Sequence, residues 1–311
     1  RFVIGCLGQV NEKATKEPEW TMADGWIWAR LQGLVRDVER LFQNHQYGEA
    51  GRQLYEFFWN EFADWYLEIA KNQMATTGDQ AYYTASTLTR VLDLSLRMLH
   101  PFIPFITEEL WGHLRRAVLD SPLAGEAADW PEALIIASWP VPRKEEAWEA
   151  QRITDFTLVQ ELVRAVRNLR AEKNVPPSRL LPAIVSGGER SDLLLDQMTT
   201  LASLAGLDLD KLVICETLEQ KPDGHVALVV GAVEIYLPLS GLVDVNEERI
   251  RLQKTLGEVD GQITRLEKLL ASPFAEKAPT EVVQKEREKL AGYRETADKL
   301  ITQLHGLELS S

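Results

Sequence analysis

The amino-acid sequence predicts a mainly α protein in three parts: a helical bundle, a small α+β module and a C-terminal antiparallel coiled-coil hairpin. Three observations carry that expectation. Apolar residues recur at helical spacing through the first hundred positions. Short runs rich in Val, Ile and Leu replace them between residues 180 and 237, and leucines return at alternating steps of four and three near the C-terminus. The expected boundaries are 1–143, 144–245 and 246–311.

In the first part, Trp28, Leu31, Val35, Val38 and Phe42 lie along one helical stripe, with Arg36 and Arg40 off it. A second helix is expected from about Glu49 to Lys71, burying Leu54, Phe58, Phe62, Trp65 and Ile69. A third runs from about Gln80 to Leu99 through Leu88, Leu92 and Ser95. Pro101 and Pro104 then stop it, because each lacks a backbone donor and crowds the preceding turn. A fourth helix begins near Pro104, with Glu108 and Glu109 near its positive end and Leu110 and Trp111 on its apolar side. The large apolar residues of this corner, Leu99, Phe102, Ile103, Phe105 and Ile106, predict that it is buried. A helical bundle follows from these patterns.

From Asp120 to Pro142 the sequence is irregular, with Ser121-Pro122, Gly125, Trp130-Pro131 and Ser138-Trp139-Pro140, so it reads as a connection. The helix expected from about Glu146 to Asn174 carries Arg164, Arg167, Arg170 and Lys173 at every third position. They wind a basic ridge beside an apolar face of Phe156, Val159, Leu162, Val163, Val166 and Leu169. That ridge fits phosphates, or it is neutralised along the helix by Glu161 and Glu172. Strand-like runs follow at 180–185, 212–215, 226–230 and 233–237, with one or two helices between Leu193 and Leu204. In this module no Gly-rich phosphate loop, paired acids or nucleophile constellation appears, and its expected role is mechanical.

The final part has the most regular pattern. Leu252, Leu256, Val259, Ile263, Leu266 and Leu270 form one apolar seam; Leu290, Tyr293, Ala297, Leu300, Leu304 and Leu307 form another. Pro273 and Pro279 lie between them and predict a reversal, hence a hairpin whose arms project roughly 38 Å each at about 1.5 Å per residue. A dimerisation zipper fits the same pattern.

Charge and cysteine content narrow the function. A net charge of −13 opposes phosphate binding in bulk, yet its distribution is uneven: −6 over residues 1–145, −6 over 146–245 and −1 over 246–311. Cys6 and Cys215 have no ligand-like spacing and are expected as reduced thiols in a cytoplasmic protein without a metal site. No run approaches the roughly 20 apolar residues of a membrane span. The chain opens on Arg1 without a signal-like segment and reads as a piece of a larger protein.

Specific phrases then carry a resemblance. His100-Pro101-Phe102-Ile103-Pro104-Phe105-Ile106-Thr107-Glu108-Glu109-Leu110-Trp111 resembles the anticodon-binding helical domain of class I aminoacyl-tRNA synthetases of the valyl, leucyl and isoleucyl branch, as do Asp64-Trp65-Tyr66 and Ile135 to Pro140. The stretch Val163 to Ser178 is similar to the junction after that domain in the valyl family. Ser272 to Leu290 resembles the valyl family's C-terminal tRNA-binding arm. Leucyl enzymes are not expected to end in such a hairpin, and isoleucyl ones commonly end in a zinc module that two lone cysteines cannot build.

The resemblance implies a C-terminal part of a ligase that attaches valine to its tRNA using ATP. It implies no catalytic residue and no cofactor here, since no stretch like His-Ile-Gly-His or Lys-Met-Ser-Lys-Ser occurs; ATP and Mg belong to a catalytic domain elsewhere. The implied partner is a valine-accepting tRNA, bound by a monomer. The candidate contacts are Arg30, Arg36, Arg40 and Lys71 in the bundle, Arg164, Arg167, Arg170 and Lys173 on the ridge, and Lys254, Arg265, Lys268, Lys285 and Lys289 off the seam of the arm. Trp59, Trp65, Tyr66 and Phe42 fit either base stacking or the core. A coiled-coil protein-interaction module and a sister synthetase fragment are the competing readings.

Overall fold

A computed structural model of the 311-residue chain describes residues 1–16, 20–76, 79–238, 245–271 and 280–308. A short helix α1 (Phe2–Leu7) precedes α2 (Met22–Gln43), whose start is fixed by a capping box: the Thr21 hydroxyl accepts from the Asp24 amide, and the Asp24 carboxylate accepts from the Thr21 amide. Next comes one continuous helical rod of three segments, α3 (Tyr47–Glu56), a π-helical stretch (Phe57–Tyr66) and α4 (Leu67–Met74). The buried positions Leu54, Phe57 and Phe62 show what the π turns do. Between Phe57 and Phe62 the inward step is five residues, so Phe57 is fully buried as well, while the expected Phe58 is partly buried and packs on Phe62 at 5.7 Å. The bundle is completed by α5 (Asp79–Leu99) and α6 (Pro104–Leu119).

The proline corner between α5 and α6 is exposed, contrary to the expectation of burial. Phe105 is 90% exposed and Ile106 60%, with Ile103, Leu110 and Phe102 also open to solvent. The reason is geometric: α6 buries the stripe Thr107, Trp111, Leu114 and Val118, and Phe105 lies across the helix from it. Glu108 clasps the following segment, its two carboxylate oxygens accepting from the amides of Leu134 and Ile135 at 2.8 and 3.1 Å. Trp130 stacks on Trp111 with centroids 4.8 Å apart, and the Arg97 guanidinium carbon lies 5.0 Å from the centroid of the Trp111 ring.

The long helix α7 (Ala147–Glu172) joins bundle to module. Its buried residues Phe156, Val159, Leu162, Val163 and Val166 belong to one continuous core with both. Trp26 of α2 stacks on Phe156 at 4.2 Å. Glu149, 1% exposed, is held by Arg143 at 2.9 Å and faces Arg36 at 3.6 Å. The module is a four-stranded sheet in the order β2-β1-β4-β3, from β1 (Leu181–Ser186), β2 (Leu207–Cys215), β3 (His225–Val230) and β4 (Val233–Pro238). β1 and β2 are parallel, joined by α8 (Ser191–Asp196) and α9 (Met198–Ala205); the other pairings are antiparallel. Every expected strand is present, although β2 begins five residues earlier than its apolar run.

The last two helices, α10 (Val245–Leu270) and α11 (Thr280–Glu308), pack against each other along much of their length. Leu266, Val283 and Ala297 are buried at their contact, and Arg294 pairs with Glu267 across it at 2.6 Å. Tyr293, expected in the seam, is 36% exposed. The expected reversal at Ser272–Pro279 and the seam side chains Leu252, Leu304 and Leu307 lie outside the described residues.

Candidate nucleic-acid interface

Phosphate binding needs positive charge that is not already spent on a neighbouring carboxylate. By that criterion the bundle candidates are largely satisfied internally. Arg30 makes a two-pronged contact with Glu61, both bonds 2.6 Å. Arg36 faces Glu145 and Glu149; Arg40 pairs with Asp37 at 3.1 Å; Lys71 pairs with Glu68 at 2.6 Å. Arg52, on the same rod, is claimed by both Glu49 and Glu56, and its hydrogen bonds hold the Glu49 carboxyl down at about 2.

The ridge on α7 divides into three kinds of residue. Arg170 is not available for RNA, contrary to expectation. It is 7% exposed, and its guanidinium donates to the carbonyls of Gly206 at 2.8 Å and Pro176 at 3.0 Å, tying the end of α7 to the start of β2. A helix of 3.6 residues per turn rotates every third position steadily, so a ridge at that spacing cannot stay on one face. Lys173 is exposed and pairs with Glu172 at 3.1 Å. Arg164 and Arg167 are exposed and lie over the Trp65 ring, their guanidinium carbons 5.2 and 5.6 Å from its centroid. Neither forms an ion pair among the described residues, so Glu161 does not neutralise them. Arg167 also donates through Nε to the Leu204 carbonyl at 2.7 Å, and Asn72 of α4 bonds Ser203 of α9 at 2.7 Å beside it.

Of the aromatic candidates, Trp65 and Tyr66 are core residues at 6% and 0% exposure, and Phe42 is half-buried among Tyr47, Phe102 and Trp139. Trp59 is half exposed and makes a tilted pair with Tyr55, which the sequence reading missed; the two lie four residues apart on the outer face of the rod. On the arm, Lys254, Arg265, Lys268, Lys285 and Lys289 are all exposed, with Lys289 held by Glu286 at 2.7 Å. Among the described residues no group of His, Cys, Asp and Glu is arranged to hold a metal, and no helix is long and apolar enough to cross a membrane.

Comparison with known families decides what this scaffold is. Residues 24–185 match the family described as the anticodon-binding domain of tRNA ligase. The chain belongs to that family. Residues 244–308 match a second description, the valyl tRNA synthetase tRNA binding arm. Among curated relatives, the valine–tRNA ligase of Thermotoga maritima is 36% identical over 99% of this chain and 33% of its own length. That of Geobacter sulfurreducens is 38% identical over 91% and 31%, and that of Geobacillus stearothermophilus 35% over 99% and 34%. The chain therefore spans about a third of the length of the curated relatives it matches. Within the matched stretch 24–185 of this chain, the π-containing rod and α7 carry Trp65 and its two arginines.

Proposed function

We propose that this chain is the tRNA-gripping part of a valine–tRNA ligase. The bundle takes the anticodon region, α7 and the sheet set a fixed angle, and the α10–α11 hairpin supports the outer corner of the tRNA; the divisions near residues 143 and 245 belong to this reading. The observation that carries it is the presence in one chain of two separate matches, an anticodon-binding domain and a valyl-type tRNA-binding arm. Binding at two distant places orients the acceptor end toward a catalytic domain, so the contribution to catalysis is positional. Valine, ATP and Mg are handled by that other domain, in the cytoplasm.

Deleting residues 246–311 tests the reading. The expected result is weakened binding of a valine-accepting tRNA with the oligomeric state and the bundle's unfolding transition unchanged. Loss of a dimer with tRNA affinity intact would instead establish a protein-pairing arm.

A further inference from the structure

We infer that Arg164 and Arg167 of α7, braced on Trp65 of the π-helical stretch, form a seat for the RNA phosphate backbone. The inference rests on the tRNA-binding reading above and assigns it a specific place. In a chain of net charge −13, most arginines and lysines of the bundle and module are committed to a carboxylate. These two are not. They lie one turn apart on the exposed face of α7 and converge on one ring, so two uncompensated charges share one small area.

Their geometry suits a phosphate more than a base. The ring that carries them is 6% exposed, so it is not free to stack on a nucleobase. It carries both guanidinium groups instead, which lowers the ordering cost that long side chains pay on binding. Arg167 spends only its Nε on the Leu204 carbonyl, leaving its Nη edge for a bidentate contact with phosphate oxygens. The Asn72–Ser203 bond pins α4 to α9 alongside, so the bundle and module meet the RNA as one surface.

The test compares an unmodified tRNA transcript carrying a valine anticodon with the 311-residue chain and its variants. In the double variant Arg164→Gln, Arg167→Gln, the slope of log affinity against log salt should fall by about 1.5, as expected for two lost phosphate contacts. Arg164→Lys with Arg167→Lys should restore most of it, which a purely structural role would not require. Independently of any variant, tRNA should protect both arginines of the unaltered chain from phenylglyoxal, with modification read by mass spectrometry. The inference is overturned if the unaltered chain shows a steep salt slope that the double Gln variant retains, or if both arginines react equally with and without tRNA. Absence of any tRNA binding by the unaltered chain overturns this inference and the proposed function together.

Discussion

Asp24 shows how a single residue can carry two jobs. Its carboxylate completes the cap of α2 and, 1% exposed, accepts the Tyr66 hydroxyl at 2.6 Å from the π-helical stretch, joining two helices through the core. Burial raises its pKa, an effect that the bonds from Tyr66 and Thr21 oppose. The stability this group contributes is therefore fully present below its ordinary value of 3.8 and is lost as pH climbs through the raised one. Tyr66→Phe leaves one carboxylate oxygen buried without that partner and should cost about 1–3 kcal/mol in urea unfolding at pH 7, with the deficit smaller near pH 4. The sequence showed Tyr66 inside an apolar phrase but not its partner 42 positions away. Trp65 lies in the apolar stripe that periodicity predicts and is core, whereas Trp59, off that stripe, is half exposed; both also fit base stacking from sequence, and only the fold separates them.

Secondary elements were legible wherever local pattern decides them. Helices α2, α5 and α7 and all four strands fall where periodicity put them, to within a few residues at most ends. The π stretch was not legible, since five-residue steps in an aromatic run look like helix of either kind. Burial of the corner was misjudged for a related reason: apolar content counts residues, whereas burial needs a covering element, and Phe105 has none among the described residues. The last turn of α7 is held by Arg170, whose charge is spent on backbone carbonyls, and Gly206 lies against it with φ of +68°, where a Cβ would come within 3.0 Å of the guanidinium. Arg170→Met should therefore destabilise the chain by about 3 kcal/mol while leaving the salt slope of tRNA binding unchanged, because the residue braces β2 and touches no RNA. Gly206→Ala should cost at least about 1–2 kcal/mol in the same unfolding assay, from left-handed strain together with the crowding of the Arg170 guanidinium.

At the scale of the whole molecule, the acidic total and the proposed RNA partner are reconciled by how the charge is arranged. Ion pairs spend many cations of the bundle and module; Arg116 and Lys144 form none among the described residues, and neither do Arg164 and Arg167, which lie together over one ring on α7, while Lys254, Arg265, Lys268 and Lys285 are exposed on α10 and α11. Composition could report the sum; only the fold separates a paired Arg30 from an unpaired Arg164. Affinity should accordingly fall steeply between about 50 and 200 mM salt, and a flat response would contradict a phosphate-dominated contact. The measurement that tests the central claim most directly is a chemical footprint of a valine-accepting tRNA with and without the chain. The account predicts two separated regions of protection, one around the anticodon stem and loop and one at the elbow, with only the second lost when residues 246–311 are removed. Protection confined to a single region, or protection at the elbow that survives that deletion, would contradict it.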